Sequence, residues 1–251
     1  MMSFKATLTD VGLLRDSLAA ISELVTEGIF QVKKDGLSLG ATDPTMVTMV
    51  RFKLLSLVFD EYELEGDEEL CVNIENLMNV LKRAKAGDVV VLELEKDENR
   101  LSVTLKNSSV RAFKIPLIDI EKADVPDMKL DFSATVEAKS SVLTDSIGDA
   151  SIVTDTVVMS ATADNFSMAA EGDLSQVDVQ LGKDSPDIVG ISVSGDAKSK
   201  YSLDYLKKIE KGSKIADIVK MQFGKDYPIM FTFLTKDKAE LSYVLAPRVE
   251  D

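Results

Sequence analysis

Lysine and arginine gather at two places in this 251-residue chain: Lys82, Arg83 and Lys85 in the first half, and Lys207, Lys208, Lys211 and Lys214 in the second. Clustered cations neutralise phosphate oxygens, a contact that fixes position on a nucleic acid without reading its bases. Little else in the chain is equipped for chemistry. There is no histidine and a single cysteine, Cys71, so zinc and iron–sulfur sites lack their usual ligands. Cys71 sits in an alternating apolar segment and reads as an inert core thiol. No Gly-rich loop ends in Gly-Lys-Ser/Thr, and Ser, Asp and Lys show no spacing that suggests a triad. Composition leaves open a two-carboxylate hydrolase, because 43 acids always supply some pair, but no pair is singled out. The expectation is a protein with no catalytic residue, no metal and no cofactor.

The basic clusters occupy equivalent places in an internal repeat. Leu14, Asp16, Ser17 and Leu18 are answered by Leu143, Asp145, Ser146 and Ile147, each 129 residues on. Asp35-Gly36-Leu37-Ser38-Leu39 returns as Asp164-Asn165-Phe166-Ser167-Met168, and Leu77 returns as Leu206, at the same offset. Phe4-Lys5-Ala6-Thr7-Leu8 matches Phe132-Ser133-Ala134-Thr135-Val136, and Phe113-Lys114-Ile115-Pro116 matches Val244-Leu245-Ala246-Pro247, at slightly different offsets, so small insertions separate the ends. Two copies of one domain favour a scaffold or ring segment over an enzyme with one asymmetric cleft. The expected boundaries are a first domain over 1–117, a linker over 118–131 and a second domain over 132–251. Two such domains side by side would join the basic clusters into one track.

A formal charge of −14 argues against a protein that coats nucleic acid with its whole surface, but leaves local contact possible. With 45% hydrophobic residues and no tryptophan, the core should be aliphatic. No apolar run approaches the ~20 residues needed to cross a bilayer, and the start lacks a basic-then-apolar leader, so a cytoplasmic location is expected.

Short β-rich segments dominate: Phe30 to Leu39, Thr45 to Phe52, Val89 to Leu94, Leu101 to Leu105 and Val110 to Ile115, bounded by Gly, Asp or charged turns. Four segments have helical spacing. One runs from about Val11 to Leu24, capped by Asp10, with a stripe of Leu14, Leu18, Ile21 and Val25; its repeat runs from about Ser140 to Ile152. The other pair, Ile74 to Ala84 and Leu203 to Lys211, sets apolar residues on one side and lysines on the other. Helices this sparse cannot cover both faces of so much sheet, which predicts an α+β fold of antiparallel sheets with helices gathered on one side. Between the copies, Pro116 to Asp131 has the composition of a linker, acidic and interrupted by Pro126. The end of the chain is a strand followed by an apolar tail, and such a tail beside an apolar linker would make a docking groove.

Several segments together resemble the DNA polymerase processivity clamps of the proliferating cell nuclear antigen family in their archaeal form. They are LAPRVED at 245–251, ATDPTMV at 41–47, NLMNVLKRAKAGD at 76–88, FKIPLIDIE at 113–121 and EGDLSQVDVQL at 171–181, and the resemblance spans essentially the whole chain. It implies a duplicated clamp fold in which three subunits close into a ring around duplex DNA, with sheets outside and helices lining the interior. A subunit of a heterotrimeric clamp, or of a checkpoint-type clamp, is the alternative.

By the same resemblance, Arg15, Lys82, Lys85, Lys207, Lys208 and Lys211 face DNA phosphates. Asp16 and Ser22 stand where relatives carry lysines, and Asp145 and Asp149 make the interior less evenly positive. The resemblance pairs Arg83, Lys85 and Arg111 of one subunit with Asp145 and Asp149 of the next, beside an edge-to-edge pairing of strand Val110–Ile115 with strand Gln176–Gly182. It places a pocket for peptides carrying Gln and an aromatic pair at Met46, Val47, Ala123, Val125, Pro126, Pro228, Val244, Ala246 and Pro247. Methionine at 46, where relatives often have histidine, keeps volume and loses a polar contact. Peptides of this kind link polymerase, clamp loader, flap endonuclease and DNA ligase to the ring, which itself does no chemistry.

Overall fold

In the computed structural model, residues 2–121 and 129–248 are described. The first repeat runs β1 (Met2–Leu8), α1 (Gly12–Ser22), β2 (Glu27–Lys33), β3 (Gly36–Thr42), β4 (Thr48–Leu55), β5 (Glu61–Leu64), β6 (Glu68–Asn73), α2 (Ile74–Leu81), β7 (Val89–Glu95), β8 (Arg100–Lys106) and β9 (Val110–Pro116). The second runs β10 (Ala134–Lys139), α3 (Ser140–Ala150), β11 (Thr156–Ala161), β12 (Asn165–Glu171), β13 (Gln176–Gly182), β14 (Ile188–Val193), β15 (Lys198–Ser202), α4 (Leu203–Ile209), β16 (Ile218–Phe223), β17 (Ile229–Thr235) and β18 (Ala239–Leu245). Strands of the first repeat lie in the orders β5-β1-β7-β8-β9 and β6-β2-β3-β4, and those of the second in the orders β14-β10-β16-β17-β18 and β15-β11-β12-β13. Replacing each strand of the first by the ninth after it converts one pair of orders into the other. The sequence repeat is thus a repeat of topology, with antiparallel pairing in both copies.

Two compact units form, one from Met1–Pro44, Val50–Val125 and Thr235–Leu241, the other from Thr45–Met49, Pro126–Leu234 and Ser242–Asp251. This departs from a single cut in the linker, because Thr45–Met49 groups with the second unit and Thr235–Leu241 with the first. In the first unit α1 packs on α2, and in the second α3 packs on α4 and on the 3₁₀ turn Glu210–Lys214 that follows it. On α1 the stripe Leu14, Leu18 and Ile21 is buried, each side chain worth roughly 1.5–3 kcal/mol of transfer from water. On α4 the buried Leu203, Leu206 and Ile209 recur every third residue and leave Lys207 and Lys208 between them.

Local chemistry moved several expected boundaries. Phe30–Leu39 is two strands with a turn between them. Gly36, at φ 136°, lies where a Cβ would come within 2.0 Å of the Leu54 carbonyl oxygen, so the chain reverses there and only glycine fits. Asp10 stands one residue ahead of the N-cap, which is Val11; its Oδ1 accepts from the Gly12 N–H at 2.9 Å. The side chain still satisfies an orphan donor of the first turn, from one position further out. In α2 the N-cap Asn73 accepts from the Asn76 N–H at 2.8 Å.

Candidate functional site

The first basic cluster follows the end of α2, and the second spans the last turn of α4 and the 3₁₀ turn after it. Lys82 is the C-cap residue of α2, where a cation complements the negative end of the helix dipole, and it is exposed together with Arg83 and Lys85. Lys207 is exposed on α4, and Lys208 is half-buried with Nζ 5.4 Å from the centroid of the Tyr205 ring, within cation–π range. The cations are unequal. Arg15 Nε bonds its neighbour Asp16 at 2.9 Å, and Lys211 Nζ bonds Glu210 at 3.1 Å, so part of their charge is spent within the chain. Lys82 and Lys85 in the first unit and Lys207 and Lys214 in the second have no ion-pair partner among the described residues.

The expected seam strands are both open edges. Among the described residues β9 pairs with β8 alone and β13 with β12 alone, and both alternate exposed and half-buried residues along most of their length. Such rows of unpaired N–H and C=O groups are templates for another strand. Asp145 and Asp149 project from α3 and are exposed. Arg111, read from the sequence as a cation directed to a neighbour, is engaged at home. Its guanidinium donates to Asp88 Oδ2 and, at 3.1 Å, to the Arg83 carbonyl oxygen.

Asp88 was not singled out by its sequence context, since an aspartate after glycine reads as a turn. It is 4% exposed and accepts from the Lys85 N–H at 3.0 Å. That backbone bond, then Asn107 and Arg111, hold its carboxyl below the usual aspartate value against the opposing effect of burial. A guanidinium has five N–H donors, so Arg111 keeps capacity for a further acceptor.

Of the three segments expected to form the peptide pocket, the loop and the tail meet. The Ala246 N–H donates to the Val47 carbonyl at 3.0 Å, and Thr45 Oγ1 lies 2.6 Å from Tyr205 Oη. Met46 stands 82% exposed at φ 60°, a left-handed conformation that turns its side chain out of the loop. Pro228, Ala246 and Pro247 are half-buried. Val244, expected to line the pocket, is only 8% exposed and contributes mainly to the interior, because it lies within the buried run 241–245 of β18. Ala123, Val125 and Pro126 lie outside the described residues.

A cleft of about 1180 Å³ that sequence reasoning missed opens in the second unit, where Pro247 and Arg248 face Lys198, Lys200 and Lys225. The Arg248 N–H donates to the Lys200 carbonyl at 2.7 Å and its guanidinium bonds Asp155 at 3.0 Å, lowering the Asp155 pKa. No periodic signal marks it, since strand ends and turns from four separate segments line it. Among the described residues no cluster of His, Cys, Asp and Glu is arranged to hold a metal, and no helix is long and apolar enough to cross a membrane.

A duplicated antiparallel fold with two helices per copy and exposed cations on or just past the second helix of each defines a repeat-built scaffold. Residues 2–125 match the family described as "Proliferating cell nuclear antigen, N-terminal domain", and residues 124–248 match its C-terminal domain. The chain belongs to the proliferating cell nuclear antigen family. It is 36% identical over 230 residues to a protein named DNA polymerase sliding clamp from Pyrococcus horikoshii, covering 92% of each chain, and 34% identical over 250 residues to one of the same name from Thermococcus fumicolans, covering 100% of both. A crystal structure of PCNA from Thermococcus kodakaraensis superposes with a TM-score of 0.91 at 28% identity, covering 98% of this chain and 100% of that one.

Proposed function

We propose that this chain is a DNA polymerase sliding clamp. Three copies join head to tail into a ring that encircles duplex DNA without sequence preference and tethers the replicative polymerase. The observation that carries the assembly is that β9 in one unit and β13 in the other each end a sheet among the described residues. Joining the β9 of one copy to the β13 of the next satisfies two unpaired edges at once, and a heterologous contact repeated with a fixed rotation closes into a ring. The acids Asp145 and Asp149 face the cations Arg83, Lys85 and Arg111 across that seam.

In this reading Lys82, Lys85, Lys207 and Lys208 supply loose phosphate contacts, with Arg15 and Lys211 contributing less because of their acidic neighbours. Shallow, sequence-blind contacts suit a ring that must move, since a deep minimum at one step would stall it. The loop at Met46 and Val47 and the tail at Ala246 and Pro247 form the described part of the pocket for client peptides carrying Gln and an aromatic pair. Clamp loader, flap endonuclease and DNA ligase bind there as polymerase does. The ring performs no catalysis and works in the cytoplasm at the nucleoid.

Sedimentation of the purified chain across protein concentrations tests the assembly. The expected species has about three times the 27.4 kDa chain mass. A chain that stays monomeric at every concentration would point to a clamp that needs different partner subunits, heterotrimeric or checkpoint-type.

A further inference from the structure

Backbone pairing alone leaves the seam poorly registered. Along β13 the exposed row is Gln176, Asp178, Gln180 and Gly182, and along β9 it is Val110, Ala112, Lys114 and Pro116. Lys114 is already bonded to Glu95 and to Ser102. A two-residue slip therefore preserves the ladder and exchanges mostly small or uncharged side chains, the situation in which strand register is weakly specified. Something beside the strands must fix it.

Beside β9, on the side of α2, lies a notch of about 360 Å³ whose walls include Val80, Phe113, Ile115 and Pro116 and whose rim carries Arg83. That volume exceeds a branched aliphatic side chain. Beside β13, Ile152 stands 83% exposed in the turn that ends α3. The turn is braced: the Ile152 N–H bonds the Asp149 carbonyl at 3.2 Å and the Val153 N–H bonds the Ala150 carbonyl at 3.0 Å. The β12–β13 loop closes on it at Gly172, where a Cβ would lie 2.5 Å from the Val153 carbonyl oxygen. Ile152 is thus a rigidly carried knob at the margin of the open strand. A single exposed isoleucine is ordinary by itself. The spacing is what makes it informative.

Val80 precedes Arg83 by three residues, and Asp149 precedes Ile152 by three. In each pair the N–H of the later residue bonds the carbonyl of the earlier, a 3₁₀-type turn that stacks positions three apart on one side. With the two helix ends antiparallel, Ile152 meets Val80 while Asp149 meets Arg83; with the ends parallel, both matches turn into mismatches of apolar against charged. We propose that Ile152 of one copy seats in the notch beside Val80 and Phe113 of the next copy, with Asp149 reaching Arg83, and that this knob sets the register in which β9 and β13 pair. The occupant is a second copy of this chain, and the inference rests on the ring proposed above. It adds an apolar, salt-insensitive contact to a seam otherwise made of backbone bonds and ion pairs.

Two measurements test it. Ile152→Asn changes a side chain that is solvent-exposed in the single chain, so the dissociated subunit should melt as the wild type does, while the dissociation constant of the ring rises tenfold or more; Ile152→Leu should stay within about threefold of the wild type. Second, with Cys71→Ser in the background, Val80→Cys and Ile152→Cys in one chain should cross-link on oxidation into covalent dimers and trimers, which neither cysteine alone gives. An Ile152→Asn chain that assembles as tightly as the wild type, with no such cross-link, overturns the knob and leaves the ring standing. A wild-type chain that never assembles overturns both.

Discussion

Arg111 shows how a residue's partners decide what its mutation reports. Reversing it to Asp strips the cation from Asp88, which is 4% exposed, and sets a second carboxylate against it, so fold and assembly are damaged together. Arg83 is exposed and is bonded through its backbone, its N–H to the Val80 carbonyl and its carbonyl to Arg111, which makes Arg83→Asp the cleaner probe of the seam. In thermal melts of dissociated chains, Arg83→Asp is expected to match the wild type and Arg111→Asp to melt several degrees lower, while sedimentation shows both with weakened rings. Acid stability also belongs to this scale. Asp35, Asp88, Glu95 and Asp155 are all held below their ordinary values, chiefly by hydrogen bonds from Lys53, the Lys85 amide, Lys114 and Arg248 respectively. A depressed folded value means the unfolded chain takes up protons first as pH falls. The stabilisation is complete above the unfolded values of 3.8 for Asp and 4.5 for Glu, and is lost as pH drops through the lower folded values. With no histidine to titrate, melting temperature should be flat from pH 7 to about 5 and fall below about 4. A step near pH 6 in calorimetry of the monomeric chain would contradict this. The cations were legible as clusters in the sequence. Their inequality was not, because the neutralising acids Asp16 and Glu210 matter only through the rotamers that bring them into contact.

At the scale of elements, the helices were the most readable part. Leu203, Leu206 and Ile209 need one face of α4 to be buried, and that requirement alone puts Lys207 outside. Strand ends were harder, as the turn inside Phe30–Leu39 depends on Gly36 meeting the Leu54 carbonyl, a contact from a strand further along the chain. The tail was legible as apolar but not as anchored. Its Ala246 and Arg248 amides bond the Val47 and Lys200 carbonyls, each bond worth about 0.5–1.5 kcal/mol net. Truncation after Leu245 removes both, together with Pro247, yet leaves β18 whole and its buried side chains in place. The shortened chain should therefore stay folded and assemble with unchanged sedimentation. In a calorimetric titration with a peptide carrying Gln and an aromatic pair, its affinity should drop at least tenfold, because one wall of the apolar site is gone. Near wild-type affinity would move the client site away from the tail.

For the whole molecule, the repeat was legible because insertions are few and most offsets hold at 129, and topology follows it strand for strand. The grouping of Thr45–Met49 with the second unit was not legible, since nothing in that loop's own pattern names its distant partners. Charge at this scale sets how the ring holds DNA. A net charge of −14 opposes tight electrostatic binding to a duplex outside the basic clusters, so in the proposed ring retention is expected to come from encirclement. Replacing Lys82 and Lys207 by alanine removes two exposed, unpaired cations per subunit and leaves the seam untouched. Loaded onto a closed circular duplex, wild-type and Lys82→Ala/Lys207→Ala rings should both survive a wash in high salt, because salt screens phosphate contacts without opening a closed ring. Linearising the circle should release both. At low salt the variant should leave the linear duplex faster, with a shallower dependence of its apparent affinity on salt concentration, the slope falling by ~1 for every phosphate that no longer meets a cation. Equal off-rates and equal slopes for the two proteins would place these lysines away from the duplex. A wild-type ring that salt strips from the intact circle would mean that it is charge, and not closure, that holds the protein on DNA.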